Sequence, residues 1–395
     1  MRLALIADAF PPLRTSASVQ IRDLSLEFVN QGHDLTVFIP DAYLKNSHEI
    51  SIWNGIRLVR LKAFKTKDVG YLRRTLAEFM LPYSMLFNLL KSPIKLDGFD
   101  GVVWYSPTIF LGPLARYVKS KSICKSYLII RDIFPEWAFD MGLMRKSVPY
   151  FIFKLVAHCQ YAVADVIGVQ TKGNELYFLG WKEKPVRRLE VLRNWLSDAP
   201  DFGCSINISS TKLADRKIFV YAGNMGVAQG VESLIDLADA LKAQKHLGFV
   251  FVGRGSNVPK IKQDALNRGL DNILFYDEID PSEIAGLYAQ CHVGLVSLDS
   301  RHKTHNIPGK FLSYMQAGLP VLARVNHGND LIELIDQHRA GRSFTEGSIA
   351  EFSRLAESLI KEIDSDPMIS SRCRAVSEEL FSSEAAVKQI VSALF

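Results

Sequence analysis

Leu3-Ala4-Leu5-Ile6-Ala7, a helix-spaced run from Val19 to Asn30, and Leu35-Thr36-Val37-Phe38-Ile39 decide the fold within the first forty residues. The first run is short and apolar and meets Asp8 at once, which suits a buried strand and not a signal peptide. After a loop with Pro11 and Pro12, the apolar residues Ile21, Leu24, Phe28 and Val29 recur at helical spacing. Gly32 ends that helix, and the β-branched run Leu35–Ile39 reads as a second strand. Strand, loop, helix, turn and strand make a βαβ unit, the start of a parallel sheet.

The pattern extends outward. Further strands are expected at Val102–Trp104, Ser126–Ile130 and Val166–Val169. From Asn194 to Lys217 the chain holds Pro200, Gly203 and the Ser/Asn-rich run 205–210, and it reads as a linker. The βα pattern then restarts with strands at Ile218–Tyr221, Phe249–Val252, Ile273–Phe275, Val293–Ser297 and Pro320–Ala323. Helices are expected over Val231–Lys242, around Pro281–Gln290 and over Lys310–Ala317. A chain of 395 residues accommodates two domains. The expected organisation is an N-terminal domain over 1–193, a linker over 194–217, a C-terminal domain over 218–380 and a final amphipathic helix over 381–395.

The composition narrows the class. A net charge of +5 is too weak to argue for nucleic acid. The five cysteines (Cys124, Cys159, Cys204, Cys291, Cys373) are isolated, which indicates neither a zinc site nor a disulfide framework and fits a reducing compartment. The most apolar long stretch, Leu76–Leu90, contains Glu78 and Pro82 and falls short of the ~20 residues of a spanning helix.

Ligands of doubly wound sheets bind beyond the carboxyl ends of strands, and three motifs sit there. Tyr221-Ala222-Gly223-Asn224-Met225-Gly226-Val227-Ala228-Gln229-Gly230 is a glycine-rich strand-to-helix loop. It could cradle a phosphate, although a plain tight turn would use the same glycines. Pro308-Gly309-Lys310 opens a helix after the basic loop 301–305, a suitable place for a diphosphate. His302 and His305 have the spacing of a metal pair but no further ligand nearby. Arg131-Asp132-Ile133-Phe134-Pro135-Glu136 follows a strand of the N-terminal half. Its carboxylates could hold an acceptor hydroxyl or act as a base, or could merely cap a helix.

In their order, these strings resemble glycosyltransferase family 4 over nearly the whole chain, in the branch that includes L-fucosamine transferases of O-antigen and capsule clusters. Gly32-His33-Asp34-Leu35-Thr36-Val37 adds to the likeness. The resemblance implies an α/β GT-B fold: two Rossmann-like domains facing each other across a cleft, with the C-terminal helix crossing back to the N-terminal domain. It also implies donor binding by the C-terminal half, acceptor binding by the N-terminal half, and retention of configuration without a metal. The implied donor-side residues are Gly223, Asn224, Gly226, Gln229, Arg254, Gly309, Lys310 and Ser313. On the acceptor side stand Ser16, Arg131, Asp132 and Glu136, and the catalytic set is Asp132, Glu136 and Lys310.

Several positions depart from the family pattern. His305 and Ser313 stand where two glutamates are usual. Asn224 or Met225 and Gln229 occupy the region of a phosphate-binding Arg and Lys, Ser16-Ala17 replaces a Gly-Gly pair, and Asp132 stands where a histidine is common. Positive charge for the leaving diphosphate is therefore expected from Arg254 and Lys310, helped by Gly226 and helix N-termini. No cofactor is expected beyond the nucleotide-sugar co-substrate. The donor is expected to be UDP-linked, with N-acetyl-L-fucosamine as the sugar, and the acceptor to be a polyprenyl-diphosphate-linked sugar.

Between Arg57 and Lys95 nine basic residues (Arg57, Arg60, Lys62, Lys65, Lys67, Arg73, Arg74, Lys91, Lys95) stand against Asp68 and Glu78. With Leu72, Phe79, Met80 and Phe87 among them, the stretch reads as a basic amphipathic surface for the cytoplasmic face of the inner membrane, or as an ordinary helix with a solvated basic face. Two other functions fit the same architecture: a sugar-nucleotide 2-epimerase, and a degenerate transferase that serves as a nucleotide-sugar-binding partner.

Overall fold

The computed structural model describes residues 1–13, 15–66, 69–183, 186–197, 202–299 and 307–395. The chain forms two compact units: Met1–Trp195 with Ser382–Phe395, and Leu196–Phe381.

The first unit is built on an eight-stranded sheet. Its strands are β1 (Arg2–Ile6), β2 (Asp34–Asp41), β3 (His48–Trp53), β4 (Ile56–Lys62), β5 (Gly101–Ser106), β6 (Lys125–Ile130), β7 (Val166–Val169) and β8 (Arg188–Val191), in the order β3-β4-β2-β1-β5-β6-β7-β8. Only β3 runs antiparallel, at the edge. β1, β5 and β6 are almost wholly buried apolar runs, because helices cover both faces of a parallel sheet. The helices are α1 (Ser16–Asn30), α2 (Tyr71–Leu90), α3 (Gly112–Ser122), α4 (Glu136–Asp140), α5 (Val148–Tyr161) and the short α6 (Leu179–Lys182). α2, α3 and α5 share one apolar core, and α1 lies in the other. The strand order turns outward in both directions from the β1–β5 pair, which makes that pair the switch point.

The β3–β4 hairpin corrects the reading of the basic stretch. Asn54 and Gly55 both take positive φ (47° and 79°), the two-residue turn that matches strand twist. Arg57, Arg60 and Lys62 therefore lie on strand β4 and not on an amphipathic helix. Arg60 pairs with Glu49 across the hairpin at 3.0 Å, and Lys62 donates to Lys45 O at 3.0 Å. Of the nine basic residues only Arg73 and Arg74 belong to α2, with Lys91 at its C-cap. Lys67 and Asp68 lie outside the described residues.

The second unit carries a six-stranded, wholly parallel sheet. Its strands are β9 (Lys217–Ala222), β10 (Leu247–Val252), β11 (Ile273–Tyr276), β12 (Val293–Ser297), β13 (Val321–Arg324) and β14 (Gly341–Phe344), in the order β11-β10-β9-β12-β13-β14. The helices are α7 (Glu232–Ala240), α8 (Val258–Asn267), α9 (Ile284–Tyr288), α10 (Gly309–Ala317), α11 (Asp330–His338), α12 (Ile349–Ser365) and α13 (Ile369–Leu380). The switch point here is the β9–β12 pair.

Residues 202–217 belong to this unit and are not a tether. Ile206, Ile208 and Leu213 are buried in its core, and Ile208 N donates to Gln290 Oε1 at 2.8 Å. The apolar side of this segment alternates with Ser and Asn, so its polar composition hid a packed strip.

The last helix, α14 (Ser383–Leu394), belongs to the first unit, as the resemblance implied, and it packs on α1. Gln389 ties it to β8, donating to Glu190 Oε1 and Val191 O, each at 2.9 Å. Among the described residues no helix is long and apolar enough to cross a membrane.

Candidate functional site

In the second unit, β9 and β12 pair only at Phe219 with Val293 and Val220 with Gly294. Beyond that the strands diverge, and Tyr314 of α10 fills the gap. Its hydroxyl lies 3.0 Å from Val220 O and 3.3 Å from Leu295 O, and accepts from Ala222 N at 3.3 Å. The tyrosine anchors α10 so that its N-terminus, Gly309 and Lys310, meets the loop that leaves β9. A Cβ added to Gly223 would lie 3.9 Å from Lys310 Cε. The first amides of a helix have no partner within it and carry the positive end of its dipole.

Lys310 is the charged feature of this gap. Its ammonium stands 4.6 Å from the centre of the Tyr221 ring, and among the described residues no carboxylate pairs with it. Burial pushes its pKa down to about 8. A shielded cation of this kind gains from an anionic ligand.

The glycine loops after β9 and β10 brace each other. Met225 N donates to Arg254 O at 2.8 Å, and Asn257 N donates to Met225 O at 3.1 Å. Gly253 (φ 139°) and Gly255 (φ 155°) pass so close to Gly223 and Met225 that a side chain at either would collide with backbone.

The structure brings Asn224, Gly226 and Gln229 together, but in a closed arrangement. Gln229 Oε1 accepts from Gly226 N at 3.1 Å and from Asn224 Nδ2 at 3.2 Å. The Gly226 amide is thus engaged within the loop, not presented to a leaving group. A 3₁₀ turn at Val227–Gln229 also separates the loop from α7. Arg254 is exposed and paired with Glu278 at 3.2 Å, so its charge is largely compensated. Ser313 sits one turn into α10 and, among the described residues, makes only a long bond to Gly309 O, 3.4 Å, which leaves its hydroxyl able to take another partner. His302 and His305 lie outside the described residues. Among the described residues no three His, Cys, Asp or Glu side chains gather as a metal site would require.

In the first unit, Asp132 lies two residues past β6, at the carboxyl end of the sheet. Burial raises its pKa, the neighbouring Arg131 opposes that, and Asp8 adds to it. Asp8, two residues past β1 at the switch point, is an electrostatic neighbour of Asp132 that sequence reading passed over as a mere strand end. Its position after a strand was the available signal.

Arg131 turns inward. It donates to Leu192 O at 2.8 Å and Arg193 O at 3.2 Å and lies 4.7 Å over the Trp195 ring. Gln20 of α1 braces the same floor, accepting from Tyr105 Oη at 2.6 Å and, through its carbonyl, from Trp195 Nε1 at 2.7 Å. Arg131 therefore supports Asp132 and does not itself offer a free guanidinium to a ligand.

Glu136 is also drawn away. It opens α4 and pairs with Lys154 of α5 at 3.5 Å, and its other electrostatic neighbours are Tyr161 and Tyr177. Ser16 is the first residue of α1, exposed, behind the Thr15 cap.

Comparison with known proteins bears on the fold and on the class of protein that the chain resembles. Residues 216–362 match the family described as Glycosyl transferases group 1. WbjE of Pseudomonas aeruginosa, named a probable glycosyltransferase, is 26% identical over 254 residues, 62% of each chain. WcaI of Escherichia coli, whose name marks it as a candidate glycosyl transferase of colanic acid biosynthesis, is 27% identical over 280 residues, 62% of this chain and 64% of its own. The chain thus spans just under two thirds of the length of these curated relatives. The crystal structure of Anabaena HepE with UDP and glucose superposes with a TM-score of 0.68 over 99% of both chains at 14% identity, and the fold is GT-B.

Proposed function

We propose that this chain, a GT-B protein whose C-terminal unit matches the group 1 glycosyltransferases, moves a sugar from a UDP-linked donor to a hydroxyl of a lipid-linked polysaccharide precursor. The observation that carries the reading is the shielded ammonium of Lys310, without a carboxylate partner among the described residues, at the switch point of the second unit. The names of WbjE and WcaI and the UDP bound by HepE support the reaction and the nucleotide. The lipid-linked acceptor places the work at the cytoplasmic face of the inner membrane.

In the reaction, the bond from the sugar C1 to the β-phosphate oxygen breaks and its electron pair leaves on UDP. The acceptor oxygen bonds to C1 and gives up its proton. Lys310 and the first amides of α10 stabilise the departing diphosphate, where charge grows most. Asp132 holds the acceptor hydroxyl and receives its proton. Ser313 bonds a hydroxyl of the nucleotide ribose, more weakly than a carboxylate would.

The test is nucleotide release by the purified chain. Donors are UDP-, GDP-, ADP- and dTDP-sugars, UDP-N-acetyl-L-fucosamine included, with and without polyprenyl-diphosphate-linked N-acetylglucosamine, in a chelator. Acceptor-dependent release of UDP is expected. Conversion of donor without acceptor identifies the epimerase instead. Nucleotide binding without turnover of any donor identifies the degenerate partner.

A further inference from the structure

β3 runs antiparallel at the edge of the first sheet, and its pairing with β4 fixes which backbone groups point outward. Trp53 and Ile56 flank the two-residue turn, and in such a hairpin that pair exchanges hydrogen bonds. Alternation commits Ser51 and Glu49 to β4 as well, and the bond from Lys62 N to Ser47 O, 2.9 Å, continues the series. His48, Ile50 and Ile52 therefore turn their N–H and C=O groups away from β4. Among the described residues no other strand lies on that side and no hydrogen bond reaches those groups.

Edge strands are commonly blunted by lysine, proline, a bulge, short length or a covering element. β3 is six residues long, His48-Glu49-Ile50-Ser51-Ile52-Trp53, without lysine or proline, and its register with β4 is unbroken. Ile50 and Ile52 share one face and are both exposed, Ile52 at 69%. The opposite edge, β8, has four residues and gives Val191 O to Gln389 of α14. The edges of the second sheet, β11 and β14, also have four.

We propose that β3 pairs antiparallel with β3 of a second copy of this chain, about a twofold axis at Ile50. That register sets Ile50 against Ile50 of the second copy and Ile52 against its His48, so each outward N–H and C=O of these residues meets a partner. A shift to the next register of the same parity leaves one end of the strand unpaired. The side chains agree with the backbone. The isoleucines of both copies gather on one face. On the other, Glu49 of one copy stands opposite Ser51 of the other. Arg60 already donates to Glu49 Oε1 at 3.0 Å and to Ser51 Oγ at 3.2 Å, so its guanidinium borders both carboxylates. Hydrogen bonds, apolar surface and charge are thus all self-complementary, which selects a second copy over an unrelated strand. The inference rests on the hairpin alone, apart from the proposed transfer.

Sedimentation of the full chain over a dilution series tests it. Wild type is expected as a dimer in equilibrium with monomer. Ile50→Pro removes an outward N–H while leaving the bonds to β4, and is expected to weaken the dimer about tenfold. Glu49→Arg is expected to weaken it too, and Glu49→Arg with Arg60→Glu to recover it. Register is read by cross-linking in a Cys159→Ser background, which removes the exposed thiol. In the proposed pairing the Cα atoms at Glu49→Cys and Ser51→Cys lie about 4.5 Å apart, within reach of a disulfide. Oxidation with diamide should link a mixture of these two variants and neither alone. Thermal unfolding confirms that each variant folds. A wild type that stays monomeric overturns the proposal and leaves the edge to the strand of another protein. A dimer that survives Ile50→Pro unchanged lies on another face and overturns it too, as does a mixture that links no better than either variant alone.

Discussion

The two units carry opposite charge on one architecture. Each is a doubly wound sheet with a switch point, β1–β5 in the first and β9–β12 in the second. At the second stands a cation, Lys310, beside glycine loops that let backbone approach backbone. At the first, the corresponding region presents the carboxylates Asp8 and Asp132 over a floor of Arg131, Tyr105 and Trp195. Topology chooses where a ligand binds, and the charge placed there chooses which ligand. In the proposed function, the diphosphate goes to the cation of the second unit and the acceptor hydroxyl to the carboxylates of the first.

The largest effect expected is from Lys310→Ala. Acceptor-dependent UDP release should fall by ~10³-fold in kcat/KM, as when a main stabiliser of a developing anion is removed. Equal loss of donor affinity and turnover in Asp132→Asn would dissolve the contrast between the units. The expectation is instead a roughly hundredfold fall in kcat with donor affinity unmoved, as for a lost base.

The pH dependence sharpens the contrast. Lysine ordinarily titrates near 10.5, and burial brings Lys310 to about 8. Its charge, and with it donor affinity, should be constant below about pH 8 and fall above it. The folded chain binds fewer protons at this group than the unfolded chain between pH 8 and 10.5. Its contribution to the stability of the ligand-free protein therefore rises over that range, opposite in sign to donor affinity. Isothermal titration and denaturant unfolding across the window check the two slopes. Burial holds Asp132 above the ordinary carboxylate range, so kcat should drop on acidification before an ordinary aspartate would protonate.

Smaller effects concern the rim. Ser313→Glu should tighten UDP by about threefold if this position meets the ribose, because a charged acceptor makes the stronger bond. Arg254→Ala should change UDP affinity by less than about twofold, since that exposed guanidinium already pairs with Glu278. A titration of each variant decides both.

The sequence made the parallel strands legible, because buried strands are unbroken apolar runs, and it made the loops after them legible as sites. It hid what depends on three-dimensional neighbours. Arg131 and Glu136 lie beside Asp132 in sequence, yet one turns under the sheet to the carbonyls of Leu192 and Arg193 and the other toward Lys154. The engagement of the Gly226 amide by Gln229 depends on a loop conformation that spacing does not specify. The β3–β4 hairpin was within reach, since Asn54-Gly55 between β-rich runs signals it, but the density of basic residues drew the reading toward a helix. Asp8 was taken only as the end of a strand, although that end is where such sheets bind ligands.

The most direct test of the central claim is a titration of UDP into the full chain, wild type against Lys310→Ala and Asp132→Asn. The account predicts that Lys310→Ala loses at least about tenfold in affinity while Asp132→Asn binds UDP as wild type does. Unchanged affinity in Lys310→Ala, with loss in Asp132→Asn, would place the phosphates in the first unit and contradict it.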